Sequence, residues 1–170
     1  MTKLNPTILS LILFTAAPAL AEDTPRRDGP QFGVGVETSL LNISLGNGAL
    51  FNPGGAVLLS YDARAWRIEG LFGLLTFNDT TVVRGGGRVL FAVHQTTRSD
   101  FSLGLGGYVL HAGENFTLGE VDALAQLRAF IVENVALTGS LGVAIAFGEG
   151  DPLVNVGGNL LGSLGMAYYF

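Results

Sequence analysis

Charged residues two or four positions apart are the first candidates for chemistry in this chain. They are Arg67-x-Glu69, Arg84-Gly-Gly-Gly-Arg88 and Glu120-x-Asp122, with Glu37 and Arg128 further along the same pattern. Even spacing puts side chains on one face of an extended strand. Four acids and four arginines gathered on one enclosed face can neutralise one another, and uncompensated charge in a confined interior is costly. Arg meets carboxylates through a planar fork, which suits such pairing. Two roles follow. The charges form a fixed plug, or they form a gate whose ion pairs exchange partners to open a thin water path. On the gate reading, Arg84 and Arg88 hold the outer-half acids and close the lumen.

Other chemistries lack their residues. RGGGR at 84–88 has glycines but not the Lys and Ser/Thr of a phosphate loop, nor a strand-to-helix setting. Its glycines fit strand curvature or close packing beside an aromatic ring. The two histidines, His94 and His111, stand in no Ser or Asp motif. His94 shares the parity of the charged face, and His111 the apolar parity near the opposite rim. There is no Cys, and no metal-ligand spacing. The expectation is a non-enzymatic protein with no cofactor and no metal.

The elements that position these charges are read from period two. In NVALTGSLGVAIAF, Val135, Leu137, Leu141, Val143, Ile145 and Phe147 share one face, while Ala136, Thr138, Ser140, Ala144 and Ala146 share the other. That is a strand with one large-apolar side and one small or polar side. The pattern recurs and predicts eight strands, at about 31–41, 54–62, 65–76, 81–95, 100–111, 117–131, 134–147 and 158–170. Most are long enough to cross a bilayer when tilted, which takes about 9–11 residues. The charged residues all fall on the small or polar face. The expected fold is therefore all-β: an eight-stranded antiparallel transmembrane up-and-down barrel, with the charges inside.

The connections alternate. NISLGNGALFNPG and GEGDPLVNVG are long, whereas DARA, TTRS and VEN are short. Short turns on one side and long loops on the other match bacterial outer-membrane barrels. With the N-terminus in the periplasm, Phe32, Tyr61, Trp66, Phe91 and Phe101 form a periplasmic aromatic girdle with Tyr168 and Phe170. Phe77, Phe116 and Phe147 mark the external interface. Aromatic belts at both interfaces are a membrane signature. The loop acids Asp79, Glu114, Glu149 and Asp151 fall outside, read as solvated charge or as sites for bridging cations or a basic partner.

Location is read from the N-terminus. Lys3, an apolar stretch from Ile8 to Ala17 and Ala19-Leu20-Ala21 make a secretory signal peptide over residues 1–21. Residues 22–30 form a short periplasmic segment and 31–170 the barrel. From Glu22 onward there are eight Arg, no Lys and 14 acids, a formal charge of −6. Nucleic acid is excluded as a partner, because its basic footprint is missing. The hydrophobic share of 48% beside 14% charged residues is unlike a soluble surface. A soluble sandwich is the reading it disfavours.

The chain ends in SLGMAYYF. Ser163, Gly165, Tyr168 and Phe170 fill the pattern polar, x, Gly, x, x, aromatic, x, aromatic. The segment resembles the C-terminal insertion signal of outer-membrane β-barrel proteins. With the strand count and the leader, residues 31–170 resemble the small eight-stranded barrels: outer membrane proteins A, X and W and the opacity-type proteins. The resemblance implies a monomer inserted by the barrel assembly machinery, with outer-membrane lipids and lipopolysaccharide as partners. The expected role is envelope structure or surface interaction. A narrow pore for small solutes or ions is the alternative, and a lipid-modifying enzyme the third.

Overall fold

The computed structural model describes residues 29–39, 43–44, 55–77, 80–113, 116–148, 152–156 and 162–170. The expected signal peptide, most of the segment 22–30, and the loop acids Asp79, Glu114, Glu149 and Asp151 lie outside the described residues.

All described regular structure is strand. The strands are β1 (Gln31–Ser39), β2 (Ile43–Ser44), β3 (Gly55–Asp62), β4 (Trp66–Phe77), β5 (Thr80–Gln95), β6 (Ser99–Ala112), β7 (Phe116–Val132), β8 (Val135–Phe147), β9 (Leu153–Val156) and β10 (Ser163–Tyr169). Each long strand pairs antiparallel with its chain neighbours. β10 pairs with both β8 and β1, which closes a ring of eight: β1, β3, β4, β5, β6, β7, β8 and β10. Closure removes the exposed strand edges that an open sheet would present.

The first seven predicted strands match within two residues. Of the eighth, predicted over 158–170, the described part runs Ser163–Tyr169, and positions 158–161 lie outside the described residues; the longest predicted loops each contain a further strand. β9 pairs with β8 at Val143–Ala146, and β2 pairs with β9 at Ile43–Val156 and Ser44–Asn155. These pieces extend the wall at the long-loop end. Strands of two and four residues are too short to show a period in the sequence.

Burial is inverted relative to a soluble fold. Glu37, Glu69, Arg88 and Gln126 are buried, while Leu74 is 63% and Leu105 67% exposed. β3 alternates residue by residue between exposed and buried along its length. The apolar parity faces out and the charged parity faces the lumen, as the alternation predicts. The lumen is layered. Val82, Leu110, Leu118 and Ala146 pack together toward the long-loop end. Phe130 and Tyr169 meet at the short-turn end, their ring centroids 5.7 Å apart.

Two bulges break the alternation. The β5–β6 register shifts between Ala92 and His94, and the β7–β8 register between Phe130 and Val132. An extra residue in one strand reverses which face later residues take. His94 therefore pairs with the outward-facing Phe101 and is exposed, which corrects its expected place on the inner face. His111 is exposed as expected, with Nδ1 2.9 Å from Thr117 Oγ1.

Candidate functional site: the charged lumen

The inner face carries a continuous hydrogen-bonded network. Arg88 Nη1 and Nη2 donate to the two oxygens of Glu37 at 2.9 and 2.5 Å, and its Nε donates to Glu69 Oε2 at 2.5 Å. Glu69 Oε1 accepts from Arg67 Nε at 2.7 Å. Arg67 also donates to Gln126 Oε1 and reaches Asp100 at 3.4 Å. Asp100 Oδ2 accepts from Arg128 Nε at 2.7 Å, and Arg128 Nη2 lies 2.6 Å from Asp62. Ser163 Oγ donates to Glu37 at 2.6 Å and lies 2.5 Å from Ser140 Oγ.

Every strand of the ring contributes. Glu37 comes from β1, Asp62 from β3, Arg67 and Glu69 from β4, and Arg88 from β5. Asp100 comes from β6, Gln126 and Arg128 from β7, Ser140 from β8 and Ser163 from β10. Register explains two pairs directly. Glu69 lies opposite Arg88 and Asp100 opposite Arg128 across adjacent strands, whereas Asp62 lies opposite Arg67 on β4 but meets Arg128 of β7 across the lumen. The Arg88–Glu37 pair also joins strands that are not neighbours in the ring. Buried ion pairs are tolerable only when their remaining donors and acceptors are met, and most of these carboxylates accept from two groups.

Glycines make room on the wall. A Cβ on Gly86 would strike the Tyr108 ring, and one on Gly106 would strike the Asp122 carboxylate. The packing expected of the 85–87 glycines beside an aromatic ring is thus found at Gly86. At the short-turn end, the Arg128 guanidinium sits 4.9 Å from the Phe130 ring centroid and 5.1 Å from that of Tyr169. Cation–π attraction at such distances favours a desolvated Arg.

All eight predicted lumen charges are buried: Glu37, Arg67, Glu69, Arg84, Arg88, Glu120, Asp122 and Arg128. Seven of them form two groups, and Asp122 lies opposite Gly106 of β6 outside both. Glu37, Glu69, Arg67, Arg88 and Arg128 belong to the network. Arg84 and Glu120 line a cavity of about 10 Å³ with Tyr108, Leu110 and Leu118 nearer the long-loop end. Arg88 is thus committed to Glu37 and Glu69 rather than to Glu120 and Asp122, which narrows the gate reading. Asp62, Asp100 and Gln126 were not among the predicted network. Their parity is correct for it, but both acids stand at strand ends beside turns, where acids are ordinary. Asp62 and Asp100 raise the buried acids among the described residues to six against four arginines, so near-neutrality does not hold there.

The C-terminal motif splits by face. Ser163 points inward, and Tyr168 and Phe170 are 50% and 59% exposed. Gly165 lies where a Cβ would crowd Thr138 Oγ1 at 2.6 Å. Tyr169 is buried. The last residues are held by main-chain bonds, from Tyr169 N to Asn134 O at 2.7 Å and from Phe170 N to Phe32 O at 2.9 Å. Outside the same rim, Phe32, Tyr61 and Trp66 form a ring chain with centroids 5.0 and 5.6 Å apart. Phe91 and Phe101 are also exposed. Of the opposite set, Phe147 is exposed. The side chains of Phe77 and Phe116 lie outside the described residues.

Among the described residues, no group of three or more His, Cys, Asp or Glu is placed to hold a metal ion. No protein-family model matches the chain, and no curated protein sequence matches it.

Proposed function

We propose that this chain is an integral outer-membrane barrel with a closed lumen. On this reading it has no enzymatic activity and serves envelope structure or surface interaction. The observation that carries the reading is the inversion of burial. A wall of exposed Leu, Val, Ile and Phe encircles buried Arg, Glu and Asp. In water such a wall would be a large aggregation surface. In a bilayer it is the required outer surface, because closure satisfies every strand and the apolar band meets lipid. The exposed aromatic cluster at the short-turn end supports an interface there. Export through the leader, insertion by the barrel assembly machinery, a monomeric state and contact with lipopolysaccharide belong to the same proposal.

The network supports the closed lumen. The ion pairs link facing walls, and cross-lumen bonds such as Arg88 to Glu37 span the space a solute would need. This disfavours the narrow-pore alternative. Two measurements test the reading. The folded barrel should require detergent or lipid and migrate differently on gels before and after heating. In planar bilayers it should give no sustained conductance. A chain that stays soluble and monodisperse without detergent overturns the membrane reading. Steady conductance overturns only the closed lumen.

A further inference from the structure

The lumen changes character between the ion-pair network and the long-loop end. Inward-facing glycines hollow the wall there, each beside a polar side chain. The Arg84 guanidinium lies next to Gly73, the Tyr108 ring next to Gly86 and the Asp122 carboxyl group next to Gly106. The cavity of about 10 Å³ lined by Arg84, Tyr108, Leu110, Leu118 and Glu120 belongs to this stretch. Glu120 of β7 stands opposite Tyr108 of β6, and Arg84 of β5 stands opposite Leu110, two residues further along β6. Arg84 and Glu120 thus reach the cavity diagonally, from the strands on either side of β6.

Glu120 is the group the wall leaves incomplete. It is 5% exposed, and neither of its carboxyl oxygens accepts a hydrogen bond from a described residue. Arg84 borders the same cavity, yet no direct bond joins the two. On the other side of β7, Glu120 faces Ala146, whose side chain has no donor. A buried carboxyl group without a donor is heavily penalised, and polar groups that face each other across a gap are commonly bridged by water. A water molecule needs a cavity of about this size and two to four polar partners. It can donate to Glu120 and accept from Arg84 at once. A cation would be repelled by the guanidinium and an anion by the carboxyl group, so a small neutral ligand fits best.

We propose that this chamber is a binding site for one water molecule, which donates to Glu120 and accepts from Arg84 and so completes the plug. The water ties β5 to β7 across β6, where no direct side-chain bond joins Arg84 to Glu120. Its isolation rests on the closed-lumen reading. The apolar layer of Val82, Leu110, Leu118 and Ala146 separates it from the long-loop rim. The Arg88 pairs with Glu37 and Glu69 separate it from the short-turn end. Only apolar cavities of this kind stay dry, and this one is bordered by two buried groups that can be charged.

A crystal structure of the full-length barrel, refolded in detergent, at a resolution that shows ordered solvent tests the proposal. One water peak is expected within about 3.2 Å of a Glu120 oxygen and of an Arg84 nitrogen. Combining Arg84→Met with Glu120→Leu makes the lining apolar, and the peak should be lost. A wild-type chamber without the peak overturns the site, as does a direct Arg84–Glu120 ion pair in its place. A peak that survives the double substitution also overturns it, because the polar pair is then not what holds the water. A file of waters running through the chamber to both rims refutes the closed lumen instead, while its member between Glu120 and Arg84 still bears out the site. If the double variant does not fold, the wild-type density decides.

Discussion

Arg88→Met removes the arginine that ties β1 to β4 and β5 through the lumen. The wild-type guanidinium makes three donations, two to Glu37 and one to Glu69, with no side-chain surface exposed on any partner. Removing one member of a buried pair costs about 3–5 kcal/mol, because the charge left behind stays desolvated. Two carboxylates are left here, but neither is wholly abandoned. Ser163 still donates to Glu37, and Arg67 still donates to Glu69. The expected loss is therefore about 4 kcal/mol, the single-pair figure rather than twice it. The single tryptophan, Trp66, lies at the rim and reports unfolding by fluorescence. In urea, with a slope of about 2 kcal/mol per molar, the midpoint should fall by about 2 M. Arg88→Lys should lie between, since an ammonium keeps the charge but not the fork. Replacing Glu37 and Glu69 by Gln in the Arg88→Met background should recover much of the loss. A midpoint within about 0.5 M of wild type for Arg88→Met refutes the reasoning, taking the same slope. So does a triple variant less stable than the single one.

Four further outcomes follow from the wall and its closing seam. Gly86→Val should destabilise the barrel by about 1–3 kcal/mol through overpacking against Tyr108. Gly85→Ala, whose Cβ meets nothing within 4 Å, should be nearly silent in the same unfolding assay. Leu105→Arg should cost up to about 2–4 kcal/mol in lipid vesicles if Leu105 sits near the bilayer midplane, whereas an exposed Leu on a soluble barrel would tolerate the change; equal stability would count against lipid contact. Deleting Phe170 should lower the yield of heat-modifiable barrel from membranes more than replacing any one of Asp79, Glu114, Glu149 or Asp151 by Asn, because it removes the bond to Phe32 O at the closing seam.

Parity made the wall legible because each long strand repeats its alternation over enough residues to outvote exceptions. It also identified eight of the buried charges, since face is a property of odd or even position alone. Partner choice was not legible. Which arginine meets which acid across the lumen depends on how far each strand is staggered around the ring, and that offset leaves no local mark. The Arg88–Glu37 pair, 51 residues apart in sequence, is of this kind. His94 shows the other limit. The bulge after Ala92 inserts one residue, and neither Gly nor Pro announces it there. Asp62 and Asp100 show a third. Each begins or ends a run of alternation, where a turn acid and a lumen acid look the same.

The network also bears on how the ring closes. A slip of one residue between neighbouring strands exchanges their faces. Here that would turn Arg and Glu toward the apolar exterior and Leu and Val into the lumen. A slip of two keeps the faces but separates pairs such as Glu69 and Arg88, which sit directly opposite one another. Hydrophobic alternation alone rejects the first error and not the second. Ion pairs at fixed positions reject both, because a buried charge without its partner is heavily penalised. The seam between β1 and β10 depends on this most. β10 has seven residues, and the main-chain ladder joins it to β1 over the stretch from Gly33 to Ser39. Ser163 Oγ adds a side-chain bond to Glu37, which Arg88 holds from across the lumen. The terminal strand is thereby registered by the same acid that anchors the plug, so closing the barrel and filling it become one event.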